Sequence, residues 1–143
     1  MTTKTLVQTE NVTLQYHTDG RIVHHVIHKP TQGKEFRDLL TTGAELFERQ
    51  KAVKWLSDDR GNGALHPDDS DWAMGVWSAR VVKAGWKYWA VVMPKAALGK
   101  MNMKRFINLY RDFGVEVRIF EDDAPALEWL KNVDRSTRAA TES

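Results

Sequence analysis

The alternation of apolar and polar positions near the start of the chain predicts a β-hairpin. Two β-rich segments, residues 11–18 and 21–29, flank the dipeptide Asp19-Gly20, and Asp-Gly in this position is a strong signal for a tight turn. A two-residue turn fixes the register and divides the side chains between two faces. One face is mainly apolar and should lie in the core, whereas the other is mainly polar. The apolar face carries Val12, Leu14, Tyr16, Val23, His25 and Ile27.

Beyond the hairpin, helical and strand patterns alternate along the chain. Apolar residues at helical spacing predict four helices, at about residues 31–51, 67–85, 103–113 and 123–133. Short apolar or alternating runs predict three further strands, at residues 53–57, 88–93 and 115–120. Thr31 is the predicted N-cap of the first helix. The order β-β-α-β-α-β-α-β-α predicts an α/β fold with a mixed, mainly parallel sheet of about five strands, an N-terminal hairpin and about four helices.

Composition and charge narrow the class of protein without naming a reaction. The 143 residues fit a single domain, with a core at about residues 11–133 and a flexible polar tail at residues 134–143. The absence of cysteine excludes disulfide scaffolds and thiolate metal sites. A formal net charge of +2 is too small to indicate nucleic-acid binding, and no apolar run predicts a signal peptide or a membrane span. We therefore expect a cytoplasmic protein with no nucleic-acid partner and no stable membrane insertion.

The predicted site lies where the parallel strands end, because ligands of open α/β sheets bind outside the carboxyl ends of the strands. The loop at residues 58–62 is the richest in chemistry. It is either a grip for a polar ligand or a solvated loop whose acids cap local backbone. Since neighbouring residues of an extended chain point to opposite sides, Asp58 and Asp59 do not form a catalytic pair by spacing alone. The candidate ligand-binding residues are Asp58, Asp59, Arg60, Asn62, Trp72, Trp77, Pro94 and Lys95.

A small acid–base enzyme is one alternative. His66 lies at a predicted helix start and could act as a general base with Asp58 and Asp59. The competing interpretation makes His66 an ordinary loop residue or a weak helix cap. The chain has no dinucleotide fingerprint, no P-loop and no nucleophile elbow, so we predict no cofactor.

The histidines of the hairpin do not predict a metal site. His24 and His28 share a face but lie roughly 13 Å apart along an extended strand. His17 and His24 form a diagonal pair, but two imidazoles without a third ligand make a poor site. His25 points to the apolar face, where we expect a hydrogen-bonded core histidine.

Six tryptophans are the unusual feature of the composition. Trp89 lies in a strand predicted to be covered on both faces, which assigns it to the core. Trp72 and Trp77 are five positions apart on one helix and should lie on different sides of its apolar stripe. One of them should then be partly exposed and available to a ligand or partner.

Two segments carry a resemblance to a known family: WLSDDR at residues 55–60 and GWKYWAVVMP at residues 85–94. With the order of elements, they resemble the STAS/SpoIIAA-like family over about residues 11–133, a family whose members are largely of unknown function. The resemblance implies helices packed mainly on one side of the sheet. It also implies non-catalytic work, either partner switching in regulation or binding of a nucleotide or lipid-like ligand, and a relation in fold to CRAL-TRIO lipid-exchange domains. Regulatory members carry a phosphorylatable serine at a helix start, whereas residues 57–63 here read SDDRGNG and Ser70 lies further on, so that function does not transfer.

Three hypotheses follow from these patterns. The first is a non-catalytic STAS-like module that binds a small ligand or a protein partner near residues 58–62. The second is a small enzyme that uses Asp58, Asp59 and His66. The third is a structural homodimer joined through the polar hairpin face or a tryptophan-bearing helix.

Overall fold

The N-terminal hairpin forms with the register that its turn predicts. The computed structural model describes the backbone of residues 3–142 and the side chains of residues 3–135. Tyr16 pairs with Val23 and Leu14 pairs with His25, so the predicted register is confirmed. At the turn, Gly20 has a φ of 121°, a conformation that favours glycine.

Six strands form one mixed sheet, and their spatial order is their order along the chain. The first three strands are antiparallel neighbours, and the third to the sixth are parallel neighbours. The strands are β1 (Thr3–Gln8), β2 (Val12–His17), β3 (Ile22–Ile27), β4 (Lys54–Asp58), β5 (Tyr88–Val92) and β6 (Glu116–Phe120). The predicted α/β class with a leading hairpin and a mainly parallel sheet is confirmed, but the sheet has six strands rather than about five.

The strand that the sequence does not predict is β1, which lies at the edge of the sheet beside β2. Most of its residues are exposed, and the register shifts between Thr5 and Val7. Its sequence, TKTLVQ, has no steady alternation of apolar and polar residues, as is typical of a strand that buries little of its surface. Its pairing rests on backbone hydrogen bonds with β2, which hydrophobic periodicity does not detect.

Four helical stretches connect and follow the parallel strands. They are α1 (Gly33–Gln50), a continuous run of α2 (Pro67–Trp72), a π turn (Ala73–Trp77) and α3 (Ser78–Lys83), then α4 (Ala97–Asp112) and α5 (Asp123–Glu142). Helix α5 continues through most of the segment predicted as a tail, although the side chains of residues 136–143 lie outside the described part. No helix within residues 3–142 combines the length and the apolar character needed to cross a membrane.

The start of α1 differs from its prediction. Its N-cap is Gln32 rather than Thr31, because the hydroxyl of Thr31 donates to the carbonyl of Lys29 instead. The N–H of Gly33 donates to Asp69 Oδ2 at 2.8 Å. A carboxylate from α2 thus satisfies a helix-terminal N–H that a local cap would otherwise serve.

Apolar side chains cover the sheet on both faces. One face packs against α1, the π turn, α3 and α4, in a cluster that includes Trp55 and Trp89. The other face packs against α5, which contributes Ala126 and Leu130. The central strands β4 and β5 are therefore covered on both sides, and the assignment of Trp89 to the core is confirmed.

Helix α1 approaches the sheet closely at Gly43. A Cβ atom at this position would lie 2.2 Å from Cη2 of Trp55, whose side chain is fully buried. Only a glycine lets the helix backbone rest on that ring. The contact holds α1 over β4 and so places Phe36 and Leu40 above the carboxyl ends of the central strands.

Candidate functional site

The chain after β4 divides its two aspartates between the two faces of the sheet. Asp58 pairs with Arg60 on the face covered by α5. Asp59 hydrogen-bonds with His25 on the face covered by α1, the π turn and α4. The two carboxylates belong to different environments, as expected for consecutive residues of an extended chain.

A cavity lies on the Asp59 side, between the carboxyl ends of the parallel strands and the helix layer. The volume open to the centres of water molecules is about 60 Å³, and one water needs about 10–15 Å³ on that measure. Its apolar walls include Ile27, Phe36, Leu40, Ala73, Met103 and Phe106. Its polar residues include His25, Ser57, Asp59, Asn62 and Asn102. A few polar groups on an otherwise apolar surface are typical of small-molecule sites.

His25 lies in the wall of the cavity with both ring nitrogens occupied. The indole N–H of Trp55 donates to Nδ1 at 3.0 Å, and Nε2 lies 2.9 Å from Oδ1 of Asp59. Because an indole nitrogen only donates, Nδ1 must be unprotonated, and Nε2 then carries the hydrogen that Asp59 accepts. His25 is therefore a neutral imidazole whose tautomer is fixed from both sides. The expectation of a buried, hydrogen-bonded core histidine is confirmed.

Three other polar side chains have hydrogen-bonding capacity left to offer the cavity. Ser57 Oγ accepts from the indole of Trp89 at 2.8 Å, so its own hydrogen is not used in that bond. Asn102 Oδ1 accepts from the backbone N–H of Leu65, which leaves its NH₂ group. Asn62 is only 8% exposed, and its side-chain amide has no hydrogen-bond partner within residues 3–135.

A different network occupies the opposite face. Arg60 donates to both oxygens of Asp58 and also reaches Asp122 and Asp123 on the α5 side. Burial alone would raise the pKa of Asp58, but the hydrogen bonds from Arg60 outweigh it and hold the pKa below its usual range. The guanidinium is thus shared among three carboxylates and is not a free anion-binding group.

The predicted histidine pair joins this network through Asp123. His24 Nε2 lies 3.1 Å from Asp123 Oδ2, and His24 Nδ1 lies 3.0 Å from His17 Nε2. The ring centroids of the two histidines are 5.2 Å apart, so the facing nitrogens point at each other. A shared metal would need both lone pairs directed at a third position. Within the described residues, no three His, Asp or Glu side chains are grouped to hold a metal ion.

The structure brings together four of the eight candidate ligand-binding residues. Those four, Asp59, Asn62, Trp77 and Pro94, line the cavity.

The other four candidates lie elsewhere. Asp58 and Arg60 line a shallow groove on the other side of the loop, and Lys95 is exposed. Trp72 is half-buried against Phe36, whereas Trp77 is buried, so the expectation that one of the two is partly exposed is confirmed.

The structure does not assemble the predicted acid–base group. His66 is half-exposed, and its Nδ1 accepts from the backbone N–H of Asp68 at 3.2 Å. It acts as a helix cap and does not line the cavity that contains Asp59. Asp58 faces the other side of the sheet.

The cavity residues that were not predicted as site residues include the polar residues His25, Ser57 and Asn102. A signal existed for the first two, because each is a polar residue at a position whose neighbours at spacing two are buried. Their strands place them side by side, since His25 and Ser57 are paired in register. No comparable signal marked Asn102, which lies on α4.

Comparison with known proteins does not identify the chain. A scan against models of protein families, a search of curated proteins and a search of solved structures each found no match. The resemblance to the STAS/SpoIIAA-like family therefore stays a prediction.

Proposed function

We propose that the protein is a non-catalytic, STAS-like module that binds a small, largely apolar ligand in the cavity between the sheet and the helix layer. The observation that carries the proposal is a largely apolar cavity in which the Asn62 amide has no protein partner within residues 3–135 and is open to a solvent-sized molecule. Pockets of this kind, apolar with a few polar groups, are typical of small-molecule sites. A ligand with one polar end could hydrogen-bond with this amide while its apolar part fills the rest.

The charges around the cavity favour a small, largely apolar ligand over a nucleotide. Among the described side chains, residues 3–135, no lysine or arginine lines the cavity, and the buried carboxylate of Asp59 would repel a phosphate. Arg60 would have to give up its carboxylate partners to bind one, and it lies on the other face. Phosphate recognition in proteins generally uses arginine, lysine or exposed backbone N–H groups.

The hydrogen bonds of His25 support a binding role rather than catalysis. A general base must have a free lone pair within reach of the substrate proton. The lone pair of His25 accepts from Trp55, and its N–H donates to Asp59. Both ring nitrogens of His25 are thus used in hydrogen bonds that connect residues of the cavity wall.

Native mass spectrometry of freshly purified protein tests the proposal. We expect the wild-type protein to carry a non-covalent small-molecule adduct. Ala73→Leu, which adds bulk inside the cavity, should lose the adduct. Ala79→Leu makes the same change at an exposed position of the same helical run and should keep it. A wild-type spectrum that shows only the bare chain mass, or an adduct equally present in Ala73→Leu, would contradict the proposal.

The same spectrum tests the homodimer hypothesis. A structural homodimer requires dimer peaks that persist on dilution. A spectrum of monomer alone at high protein concentration would remove that hypothesis without affecting the cavity.

A further inference from the structure

Within residues 3–135, the cavity lining contains no lysine or arginine, and its ionisable side chains are His25, Asp59 and Tyr110. Trp55 keeps His25 neutral, as its hydrogen bonds require. Burial raises the pKa of Tyr110, so the phenol is also neutral. What remains is the carboxylate of Asp59.

Asp59 is buried without a cation. The residue is 3% exposed, and its recorded side-chain hydrogen bond within residues 3–135 goes from neutral His25 to Oδ1. Its second oxygen, Oδ2, has no protein partner in that range and is open to a solvent-sized molecule, since every fully enclosed side-chain oxygen or nitrogen of the described residues is hydrogen-bonded. Within the same residues, the other two buried aspartates, Asp58 and Asp69, each pair with an arginine. A carboxylate oxygen that is open to a largely apolar cavity and has no cation beside it favours a cation as its partner.

We infer that the cavity binds a small primary amine as its ammonium ion, with the ammonium group on Oδ2 of Asp59 and the alkyl group against the apolar walls. This inference rests on the proposed function, since it names the chemistry of the ligand. An ammonium group has three N–H donors. Three of the residues that line the cavity carry an oxygen able to accept from it: Asp59 through Oδ2, Asn62 through its side-chain carbonyl and Ser57 through its hydroxyl oxygen.

The volume of the cavity limits the length of the amine that can bind in it. A volume of about 60 Å³ has room for roughly four to six groups of the size of a water molecule. The non-hydrogen atoms of n-butylammonium match that room. Phe36, Met103 and Phe106 would contact its alkyl chain.

Titration of ¹⁵N-labelled protein with three probes of equal length tests the inference. The probes are n-butylammonium, 1-butanol and butyrate, and the indole N–H resonances of Trp77 and Trp89 report on the cavity. We expect n-butylammonium to bind at least about tenfold more tightly than 1-butanol, because only the cation pairs with Asp59. Butyrate should not shift these resonances, since its charge repels that of the carboxylate.

Asp59→Asn tests whether the binding preference for n-butylammonium depends on the charge of residue 59 rather than on the shape of the cavity. The amide can still accept the hydrogen bond of His25, so the variant should keep the cavity and lose the preference for n-butylammonium over 1-butanol. Asp112→Asn removes one exposed carboxylate outside the cavity and should leave the preference unchanged. The wild-type comparison of the three probes needs no variant and therefore stands even if Asp59→Asn fails to fold.

The failures of the two proposals can be told apart. If 1-butanol shifts the cavity resonances at least as strongly as n-butylammonium, the amine inference is wrong and the ligand-binding function stands. If none of the three probes shifts them, the amine inference is overturned, and an adduct-free native mass spectrum would then remove the ligand-binding function as well.

Discussion

The indole N–H groups of Trp55 and Trp89 donate hydrogen bonds to two polar residues of the cavity, His25 and Ser57. One donates to a ring nitrogen of His25, and the other donates to the hydroxyl oxygen of Ser57. These bonds determine which donor and acceptor groups of His25 and Ser57 stay available. Trp77 and Trp86 instead donate to backbone carbonyls. Trp55 and Trp89 therefore orient polar groups of the cavity as well as filling the core, and Trp77 lines the cavity directly.

Sequence patterns predicted the environment of His25 but not its partners. Strand alternation placed the residue on the buried face, which is a local property. Its partners, Trp55 and Asp59, are 30 and 34 positions away and lie beside it because the crossover through α1 returns the chain to a strand paired with β3. Such contacts depend on the packing of whole elements, which periodicity does not specify.

His17 should make the stability of the protein depend on pH. Burial, together with the positive charges of the neighbouring His24 and Lys131, lowers its pKa from 6.5 to about 4. As the pH falls from 6.5 to 4, the unfolded chain takes up a proton here that the folded chain does not bind. The free energy of unfolding should therefore decrease across this window, and His17→Gln should remove that part of the decrease. Urea denaturation at a series of pH values measures it.

A substitution at His66 provides the control for the change in unfolding free energy between pH 6.5 and 4. His66 is half-exposed, so His66→Asn should leave the pH slope as it is in the wild type while the new side chain can still cap α2. Asp58, whose pKa is lowered in the folded chain, adds its own decrease at the acidic end of the window, but it is present in the wild type and in both variants and so cancels from the comparison. Equal slopes for wild type and His17→Gln between pH 6.5 and 4 would show that His17 is not the residue responsible.

Hydrophobic periodicity predicted the helices and strands that bury an apolar face. The helix predicted at residues 31–51 is α1, and its buried face runs from Phe36 to Phe47. The edge strand β1 buries little and was missed. The π turn was also missed, because the five residues Ala73–Trp77 differ from an α-helix in hydrogen bonding and not in their apolar spacing.

The close packing of α1 on β4 predicts opposite effects for the same substitution at two helical glycines. Gly43→Ala would place a methyl group 2.2 Å from the fully buried ring of Trp55. We expect a loss of about 2 kcal/mol in the free energy of unfolding, because the ring has no space into which to move.

Gly75 in the π turn is the matched control. A Cβ atom there meets no other atom within 4 Å, and the residue is exposed. Gly75→Ala should raise the free energy of unfolding by about 0.5–1 kcal/mol through helix propensity alone. Thermal denaturation compares the two variants. A Gly43→Ala protein as stable as Gly75→Ala would mean that α1 does not rest on Trp55.

For the whole molecule, the central sheet separates two polar regions that are contiguous in the sequence. Residues 58–62 looked like one loop with one function. In the folded chain, Asp58 and Arg60 belong to an acidic network with α5, whereas Asp59 and Asn62 belong to the cavity beneath the helix layer. Sequence patterns pointed to the end of the sheet at which the cavity lies, because the topological rule depends only on strand direction. They could not decide which face each side chain serves once the strand ends.

The position of a bound amine tests the central claim most directly. A crystal structure of the protein soaked in n-butylammonium chloride should show the ammonium nitrogen within hydrogen-bonding distance of Asp59 Oδ2. The alkyl chain should lie between Phe36, Met103 and Phe106. Amine found only on the surface, with the cavity holding water alone, would contradict the claim that this cavity is the ligand site.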